Sequence, residues 1–407
     1  MVRALMTLSK ADSSDRPIVE ASPLLLLTSG ASIAILITNL YFAQSLIMMI
    51  APDLGIQPQF AGTVVSASQF GYGLGLFLLV PLSDMVENRR LVIASGALAI
   101  LGTIGLATAS TAAAFLSCAF ITGIFSSVAH VLLPYLSHTL PENTKGQILG
   151  LIMAGVLMAV MLSRPVSILV ASSFGWRAIY ILSALITLGL GTLLWVVMPQ
   201  RRPRSRMPYM KTLVSMFTLF AREHEVRRRT FYQAVLFAVF TMFWATMPIM
   251  LHDSFGLRQI QIALFTLVAI GGVLATPLAG RWADKNLLRI GTLTACLILA
   301  VAFLGSAWAV HVLALMVLAG SAILIDGAVA ATQTFSRIVV LEAKPRHRGR
   351  VNALYMTIVY NSGALGSIIG VSVYVEFGWI GVALSGSSLA LIIAMIIFAD
   401  RSGSSNN

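Results

Sequence analysis

A series of twelve long apolar runs limits this chain to one class of fold. Each run has about 20 residues or more, the length that an α-helix needs to cross the hydrocarbon core of a bilayer. Only 10% of the 407 residues are charged, against about a quarter in soluble domains. We therefore predict an all-α integral membrane protein with twelve transmembrane helices. The predicted spans are Pro23–Ile50, Gln59–Ser83, Leu91–Ala109, Ala113–His138, Gln147–Ser172, Ala178–Met198, Phe231–Leu251, Gln259–Gly280, Ile290–Trp308, Val312–Val340, Val351–Val375 and Gly381–Ala399.

The lysines and arginines sort by the side of the membrane. If the N-terminus is cytosolic, 24 of the 27 basic residues fall in cytosolic tails and loops, a count that includes Arg337 near the end of the tenth run. Only Arg177 and Arg258 fall outside, and Arg164 remains within a span. The positive-inside rule then predicts that both termini are cytosolic. The net charge of +12 is interpreted as an orientation signal and a contact for anionic lipid, and nucleic acid is not expected as a partner.

The longest loop divides the chain into two halves of six spans. The predicted units are a cytosolic N-terminal tail (1–22), an N-terminal half (23–198), a basic cytosolic linker (199–230), a C-terminal half (231–399) and a cytosolic C-terminal tail (400–407). Within the linker, apolar residues at helical spacing predict a short amphipathic helix on the cytosolic membrane surface. A solvated linker is the alternative. The apolar residues are Met210, Leu213, Val214, Phe217 and Phe220.

The two halves resemble each other in sequence. The segment FGWRAIY, which begins at Phe174, recurs as FGWIGVA 203 residues later, and Gly146 and Gly349 are separated by the same offset. Asp84 and Asp284 occupy similar loops at an offset of 200. These matches indicate a duplicated six-span unit. A parallel repeat of this kind places a solute site between the halves, near the middle of the membrane.

Twelve spans, a six-plus-six repeat and a basic central loop resemble the major facilitator superfamily of secondary transporters. Its signature between spans two and three is Gly-x-x-x-Asp-(Arg/Lys)-x-Gly-(Arg/Lys)-(Arg/Lys), and VPLSDMVENRR matches it in part, with Val80 and Glu87 in place of glycines. The resemblance implies that this loop and its second copy, GRWADKNLLR, act as cytosolic gate latches. The alternative is that their charged residues serve only to orient the chain in the membrane. The residues concerned are Asp84, Arg89, Arg90, Gly280, Asp284 and Lys285.

Four stretches resemble the bacterial drug/sugar efflux branch of that superfamily, a group of proton-linked antiporters. The resemblance implies that the protein lies in the cytoplasmic (inner) membrane of a bacterium. It also implies that the proton gradient drives transport, with no cofactor and no metal. In span five the branch has glycines around a Gly-Pro pair, whereas SRPVSI retains only Pro165, which can kink the helix. The four stretches are NLYFAQSL, GYGLGLFLLVPLSD, SRPVSILVASSFGWRAIY and VNALYMTIVYNSGALGS.

Two charged residues lie deep within spans, and they are the main functional candidates. Arg164 lies in the fifth run and Asp326 near the middle of the tenth, and each costs about 2.5–3.5 kcal/mol at a helix centre on insertion scales. Arg164 cannot release its proton, so we expect it to bind an anion or to tune a carboxylate at the junction of the halves. Asp326 is the candidate proton carrier. The alternatives are that Arg164 snorkels outward and that Asp326 is its static partner.

Other polar and aromatic side chains within spans are candidates for the solute cavity. Tyr41 and Gln44 share one face of span one, and His130 could titrate near neutral pH. For each of these residues a packing role is the alternative. The full set is Asn39, Tyr41, Gln44, Gln69, His130, Trp244, Tyr360 and Asn361.

The motifs present and absent exclude several classes of function. The sequence has no His-Glu-x-x-His zinc motif, no Cys–His pair or serine elbow, and no Walker motif, so an intramembrane enzyme and an ATP-driven pump are not expected. The favoured function is proton-coupled export of a drug, a sugar or a metabolite. A symporter that imports a metabolite and a transporter-like sensor are the alternatives. The expected partners are the solute, protons and anionic lipid, with no obligate protein partner.

Overall fold

Apolar helices form the body of the protein. The computed structural model describes residues 22–137, 139–140, 142–201, 207–343 and 348–399, so the tails before residue 22 and after residue 399, and the basic run 202–206, lie outside the described residues. The regular structure of the described residues is helical throughout, which confirms the all-α prediction. Among the described residues before 349, ten helices are long and apolar enough to cross a membrane. They are α1 (Pro23–Ser45), α2 (Pro58–Leu82), α3 (Asn88–Thr108), α4 (Ala112–Ser137), α5 (Glu142–Phe174), α6 (Arg177–Val197), α7 (His224–Phe255), α8 (Gln259–Asp284), α9 (Leu288–His311) and α10 (Leu315–Ala343).

The last helical stretch contains two spans. Residues 349–399 would measure about 77 Å as one straight helix, more than twice the thickness of a hydrocarbon core of about 30 Å. The backbone of Gly378 is not helical, with φ 63° and ψ −164°. After this turn the chain runs antiparallel to α9, since Trp379 hydrogen-bonds Ser306 and Arg289 hydrogen-bonds the carbonyl of Ile397.

We call residues 349–377 α11 and residues 379–399 α12. With α1–α10 they make twelve helices, which confirms the predicted number of spans. The first predicted span is divided, because α1 ends at Ser45 and a separate short helix, Ile47–Asp53, follows it.

The same tight turn precedes the last helix of each half. Gly175 before α6 has φ 81° and Gly378 before α12 has φ 63°, a conformation that residues with a Cβ rarely adopt. Each glycine belongs to one of the repeated Phe-Gly-Trp segments. The following tryptophan ties the turn to its own half: Trp176 Nε1 donates to Asp53 at 3.1 Å, and Trp379 Nε1 donates to α9 at 3.2 Å.

An ion pair reinforces the turn of the N-terminal half. Arg177 Nη1 lies 2.8 Å from Asp53 Oδ2, and Arg177 Nη2 donates to the carbonyl of Ala109 at 3.0 Å. Hydrogen bonds from Arg177 and then Trp176 lower the pKa of the Asp53 carboxyl. The pairing therefore stabilises the folded protein above the ordinary pKa of an aspartate, and it is lost in acid.

We name the two ends of the helix bundle by the linker helix, Tyr209–Arg222. The linker end holds this helix, and the far end is opposite. At the linker end, the linker helix lies across the contact between α2 and α11. The Tyr209 hydroxyl donates to the carbonyl of Leu78 in α2 at 2.9 Å, while Leu213 and Met216 are buried against α11.

A second apolar face of the linker helix points away from the bundle. Met210 and Val214 are exposed, although the neighbouring Leu213 is buried. Phe217 lies at the border of this face, since its ring centroid is 5.5 Å from that of Phe77 in α2. The helix was predicted from the spacing of these residues. Its position on the membrane surface stays a prediction, and the outward face has the apolar character that lipid contact requires.

The halves meet along two seams, the first between α2 and α11. At the far end of this seam the two backbones touch, since a Cβ added at Gly62 would overlap the carbonyl oxygen of Ser367. The hydroxyl of Ser372 also donates across the seam to the carbonyl of Gln59 at 3.0 Å. The far end is therefore closed between α2 and α11.

The second seam, between α5 and α8, is closed only at the far end. There α5 packs against the first piece of α8, Gln259–Thr266, and the contact diminishes towards the last piece, Ala275–Asp284. Near the linker end of α5, Leu151 is 76% exposed. The two halves thus diverge towards the linker end along this seam.

Close packing between α7 and α11 provides a test of the fold. A Cβ added at Gly366 would overlap the carbonyl oxygen of Ala238, so Gly366→Ala should lower the free energy of unfolding by about 1–3 kcal/mol, the usual effect of overpacking. Gly189→Ala is the matched control, because a Cβ at this mid-helix glycine of α6 meets no heavy atom within 4 Å. Thermal unfolding in detergent should show a lower midpoint for Gly366→Ala alone. Equal midpoints for the two variants would contradict the close contact.

Candidate functional site

Arg164 lies at the junction of the halves. The side chain is only 1% exposed and reaches from α5 to α7 of the other half. Its guanidinium carbon is 4.0 Å from the ring centroid of Trp244, 5.8 Å from that of Tyr41 and 5.9 Å from that of Phe240. The side chain does not snorkel outward. The three rings attract the cation through their negatively charged faces.

The aromatic contacts leave the hydrogen-bonding capacity of Arg164 unused. None of Nε, Nη1 and Nη2 has a hydrogen-bond partner among the described residues. A cation–π contact is worth about 2 kcal/mol or more when it is desolvated, whereas each hydrogen bond to a charged group is worth about 1.5–3 kcal/mol. Arg164 is therefore held in place by aromatic rings, and its donors remain able to bind an acceptor.

Asp326 is the acidic member of the same site. It is 6% exposed on α10, and its Oδ1 accepts a hydrogen bond from Trp244 Nε1 at 2.6 Å. A glycine of α8 makes room for it, since a Cβ added at Gly272 would overlap the Asp326 side chain. The second oxygen, Oδ2, has no hydrogen-bond partner among the described residues.

Trp244 connects the two charges and also keeps them apart. Arg164 lies over the face of the indole, and Asp326 binds its N–H at the edge. Each charge acts electrostatically on the other, but the guanidinium does not hydrogen-bond the carboxylate. The site thus contains a guanidinium and a carboxyl group that share one ring without a hydrogen bond between them.

A row of aromatic side chains extends from this centre into the N-terminal half. Tyr41 hydrogen-bonds the side chain of Tyr360, the Tyr360 ring is 4.7 Å from that of Tyr72, and the Tyr72 ring is 5.8 Å from that of His130. The Tyr72 hydroxyl and His130 Nε2 are buried without a hydrogen-bond partner in the described part of the chain. Three of the predicted candidates, Tyr41, His130 and Tyr360, therefore belong to one connected row.

Arg337, which the sequence-based count assigned to a cytosolic loop, is a half-buried residue of the tenth helix. It lies within α10, 11 residues after Asp326, and about three helical turns of this length bring both side chains to one face. Its charge acts on Tyr72 and His130, which places it beside the N-terminal half. The 11-residue spacing from Asp326 was the signal in the sequence.

The remaining cavity candidates are Asn39, Gln44, Gln69 and Asn361. Asn39 Oδ1 accepts a hydrogen bond from Ser183 at 2.5 Å within the N-terminal half, and its Nδ2 has no hydrogen-bond partner among the described residues. Gln44 is buried, and neither of its amide atoms has a partner among the described residues. Gln69 and Asn361 lie at the seam between α2 and α11, where they approach Gly363 and Gly73.

The two loops of the family signature lie at the linker end. Glu87 caps α3 by accepting from the backbone N–H of Arg89 at 3.1 Å, and it pairs with Arg90 at 3.3 Å. Asp84 lies within electrostatic range of Arg350 in α11, so it faces the other half.

The second copy of the signature ends α8. Gly280 has open space around it, and Asp284 and Lys285 are exposed. Among the described residues, no group of three or more His, Cys, Asp and Glu side chains is arranged to hold a metal ion.

Known proteins resemble this chain in both sequence and fold. The family model described as Major Facilitator Superfamily matches residues 27–360 and 229–407. Uncharacterized transporter YgaY of Escherichia coli O157:H7 is 31% identical over 382 residues, which cover 94% of this chain and 96% of that protein. A protein of Pasteurella multocida named "Probable sugar efflux transporter" is 25% identical over 264 residues, covering 63% of this chain and 62% of that protein. The crystal structure of a D-xylose–proton symporter matches with a TM-score of 0.70 and 16% identity, covering 91% of this chain and 97% of that chain.

The hydrogen bond between Trp244 and Asp326 can be tested by removing only the indole N–H. Trp244→Phe keeps a ring beneath Arg164 but removes a hydrogen bond to a carboxylate, worth about 1.5–3 kcal/mol if the carboxylate is ionised. Trp379→Phe is the matched control, because that buried indole donates to the neutral hydroxyl of Ser306, a bond worth about 0.5–1.5 kcal/mol. Reversible unfolding in mixed micelles should show the larger loss for Trp244→Phe. Equal losses would indicate that the acceptor is not ionised.

Proposed function

Because the chain belongs to the major facilitator superfamily, we propose that it works by proton-coupled antiport and exports a small organic solute, such as a drug, a sugar or a metabolite. The chain is a membrane transporter and not an enzyme, so the proposal concerns direction and coupling. A relative named as a sugar efflux transporter supports export. The observation that carries the proposal is the shared contact of Arg164 and Asp326 with Trp244.

Asp326 is the residue that binds and releases the coupled proton. The groups that face it are Arg164 from α5, Tyr41 from α1 and the indole N–H of Trp244 from α7. Arg164 keeps its charge at every accessible pH, so it can hold a solute or attract the ionised carboxylate but cannot carry the proton. The division of roles follows from the chemistry of the two side chains.

Coupling arises because the two charges belong to different halves. Arg164 is on α5 of the N-terminal half and Asp326 on α10 of the C-terminal half. When the halves rock, the distance between the charges changes, and their attraction changes with it. Proton binding at Asp326 and the conformation of the transporter are therefore linked.

The orientation in the membrane completes the proposal. The linker end carries most of the basic residues of the described chain, which favours a cytosolic position for it in the cytoplasmic membrane of a bacterium. In the present conformation the far end is closed, and α5 and α8 diverge towards the linker end. With this orientation, the closed end faces outward and the diverging end faces the cytosol, where an exported solute would enter.

The coupling role of Asp326 can be tested in proteoliposomes that contain a pH-sensitive dye. Vesicles are loaded in turn with ethidium, arabinose or succinate and diluted into solute-free buffer. Antiport predicts that the outward flow of a transported solute acidifies the interior, whereas symport predicts that the interior becomes alkaline. Asp326→Asn should abolish the proton signal, because an amide cannot carry the proton.

Asp253→Asn is the matched control for this experiment. Asp253 also lies in the C-terminal half and accepts a hydrogen bond, from Tyr374 at 3.0 Å, but it is exposed and follows Trp244 by nine residues in α7, about 13 Å along the helix. Its variant should retain the proton signal. Full proton-coupled transport by Asp326→Asn, or alkalinisation in the wild type, would overturn the proposed mechanism.

The proposed orientation can be tested with two single-cysteine variants in a background without Cys118 and Cys296. Lys211→Cys lies on the exposed face of the linker helix, and Gln57→Cys lies on the exposed far end. A membrane-impermeant maleimide should label Gln57→Cys in intact cells stripped of their outer membrane, and Lys211→Cys only in inverted vesicles. The reverse pattern would place the linker end outside.

A further inference from the structure

The two charges at the centre of the membrane each have bonding capacity that the protein leaves unused. All three guanidinium nitrogens of Arg164 and the Oδ2 atom of Asp326 lack hydrogen-bond partners among the described residues. Both residues are shielded from solvent, at 1% and 6% exposure. Buried charges in proteins are otherwise paired and hydrogen-bonded. This site therefore has one set of donors and one acceptor that a ligand can complete.

The two groups contact different parts of Trp244 and do not hydrogen-bond each other. The guanidinium carbon lies 4.0 Å from the centroid of the indole, while the carboxylate takes the N–H at the ring edge at 2.6 Å. An anionic ligand would complete Arg164 and leave Asp326 with a free oxygen. A cationic ligand would complete Asp326 and leave Arg164 with free donors. A ligand that carries both charges completes both residues.

We propose that the solute is a small zwitterion, whose carboxylate binds Arg164 and whose ammonium group binds Asp326. The inference rests on the proposed proton-coupled antiport and names its substrate class. A guanidinium and a carboxylate form two parallel hydrogen bonds, which use the free donors of Arg164. An ammonium group has three donors, one of which suits Asp326 Oδ2.

The surrounding side chains indicate the rest of the solute. The rings of Tyr41 and Phe240 lie 5.8 and 5.9 Å from the guanidinium carbon, so a substituent next to the bound carboxylate meets apolar surface. This favours an apolar or aromatic side chain. Arg337 lies about 16 Å from Asp326 along α10, which is too far for it to share a solute held between Arg164 and Asp326.

Binding of the zwitterion exchanges one proton for one ammonium group at Asp326. The O–H bond of the protonated carboxyl breaks, and the proton leaves to the solution on the open side. The carboxylate that remains pairs with the ammonium group, which keeps all its protons. One neutral solute thus leaves the cell for each proton that enters, and each cycle moves one positive charge inward.

Three compounds that share a phenyl ring on a two-carbon unit separate the charges of the solute. L-Phenylalanine carries both groups, 3-phenylpropanoate only the carboxylate, and 2-phenylethylamine only the ammonium. Calorimetry on the full chain in detergent should show L-phenylalanine binding at least about tenfold more tightly than either single-charge analogue, since each analogue loses one charged contact. At a pH low enough for Asp326 to be protonated in the empty site, L-phenylalanine should also release protons into a weakly buffered solution, whereas the unfolding comparison of Trp244→Phe applies at a higher pH, where the carboxylate is ionised.

Variants assign each charge to its residue. In Arg164→Gln, L-phenylalanine should bind no better than 2-phenylethylamine binds the wild type. In Asp326→Asn, it should bind no better than 3-phenylpropanoate and release no proton. Arg164→Lys retains the charge without the planar donors and should give an intermediate affinity, while Asp253→Asn should match the wild type. The comparison of the three compounds on the wild type does not depend on whether any variant folds.

The outcomes distinguish this inference from the proposed function. Binding of either single-charge analogue as tightly as L-phenylalanine would overturn the zwitterion. A failure of L-phenylalanine, L-leucine and 4-aminobutyrate to bind would also overturn the zwitterion. If ethidium, arabinose or succinate then still gave an Asp326-dependent proton signal, the proposed antiport would stand without the zwitterion. If no compound gave such a signal, both proposals would fail.

Discussion

The stacking of Arg164 on Trp244 is the contact on which the centre of the molecule depends. A guanidinium cannot be neutralised by losing a proton, and inside a membrane its charge must be compensated. The indole face supplies part of this compensation, and the N–H of the same indole binds Asp326 at 2.6 Å. A direct ion pair between the two residues would have satisfied both of them. Because each residue contacts the indole of Trp244 instead, both keep hydrogen-bonding capacity for a ligand.

The two halves contribute different parts of this centre. Arg164 and Tyr41 belong to the N-terminal half, and Trp244, Phe240 and Asp326 to the C-terminal half. The arrangement therefore exists only while the halves are in contact at this level. Any ligand that binds across it prefers one arrangement of the halves over another, and such a preference is the basis of conformational coupling.

Much of the fold was predictable because each span carries its own signal, a run of apolar residues long enough to cross a membrane. Arg164 and Asp326 could be singled out for the same reason, as charges that break such runs. Their common contact with Trp244 could not be predicted, because it joins three helices that are distant in sequence. Asn39 has the same polarity as a cavity residue but bonds Ser183 within its own half, and polarity alone does not distinguish the two roles. Arg337 was missed because a charge near the end of a run is read as a loop charge.

The seam between α2 and α11 bears on the speed of conformational change. At the far end Ser367 and Ser372 donate to backbone carbonyls of α2, and each hydroxyl also lies within 3.1 Å of a carbonyl of its own helix. When the seam opens, each hydroxyl keeps an acceptor, so no donor is stranded in the membrane. The activation barrier to opening at this point then arises from lost packing between small residues, and not from unmatched polar groups. Such an interface favours fast interconversion without weakening either end state.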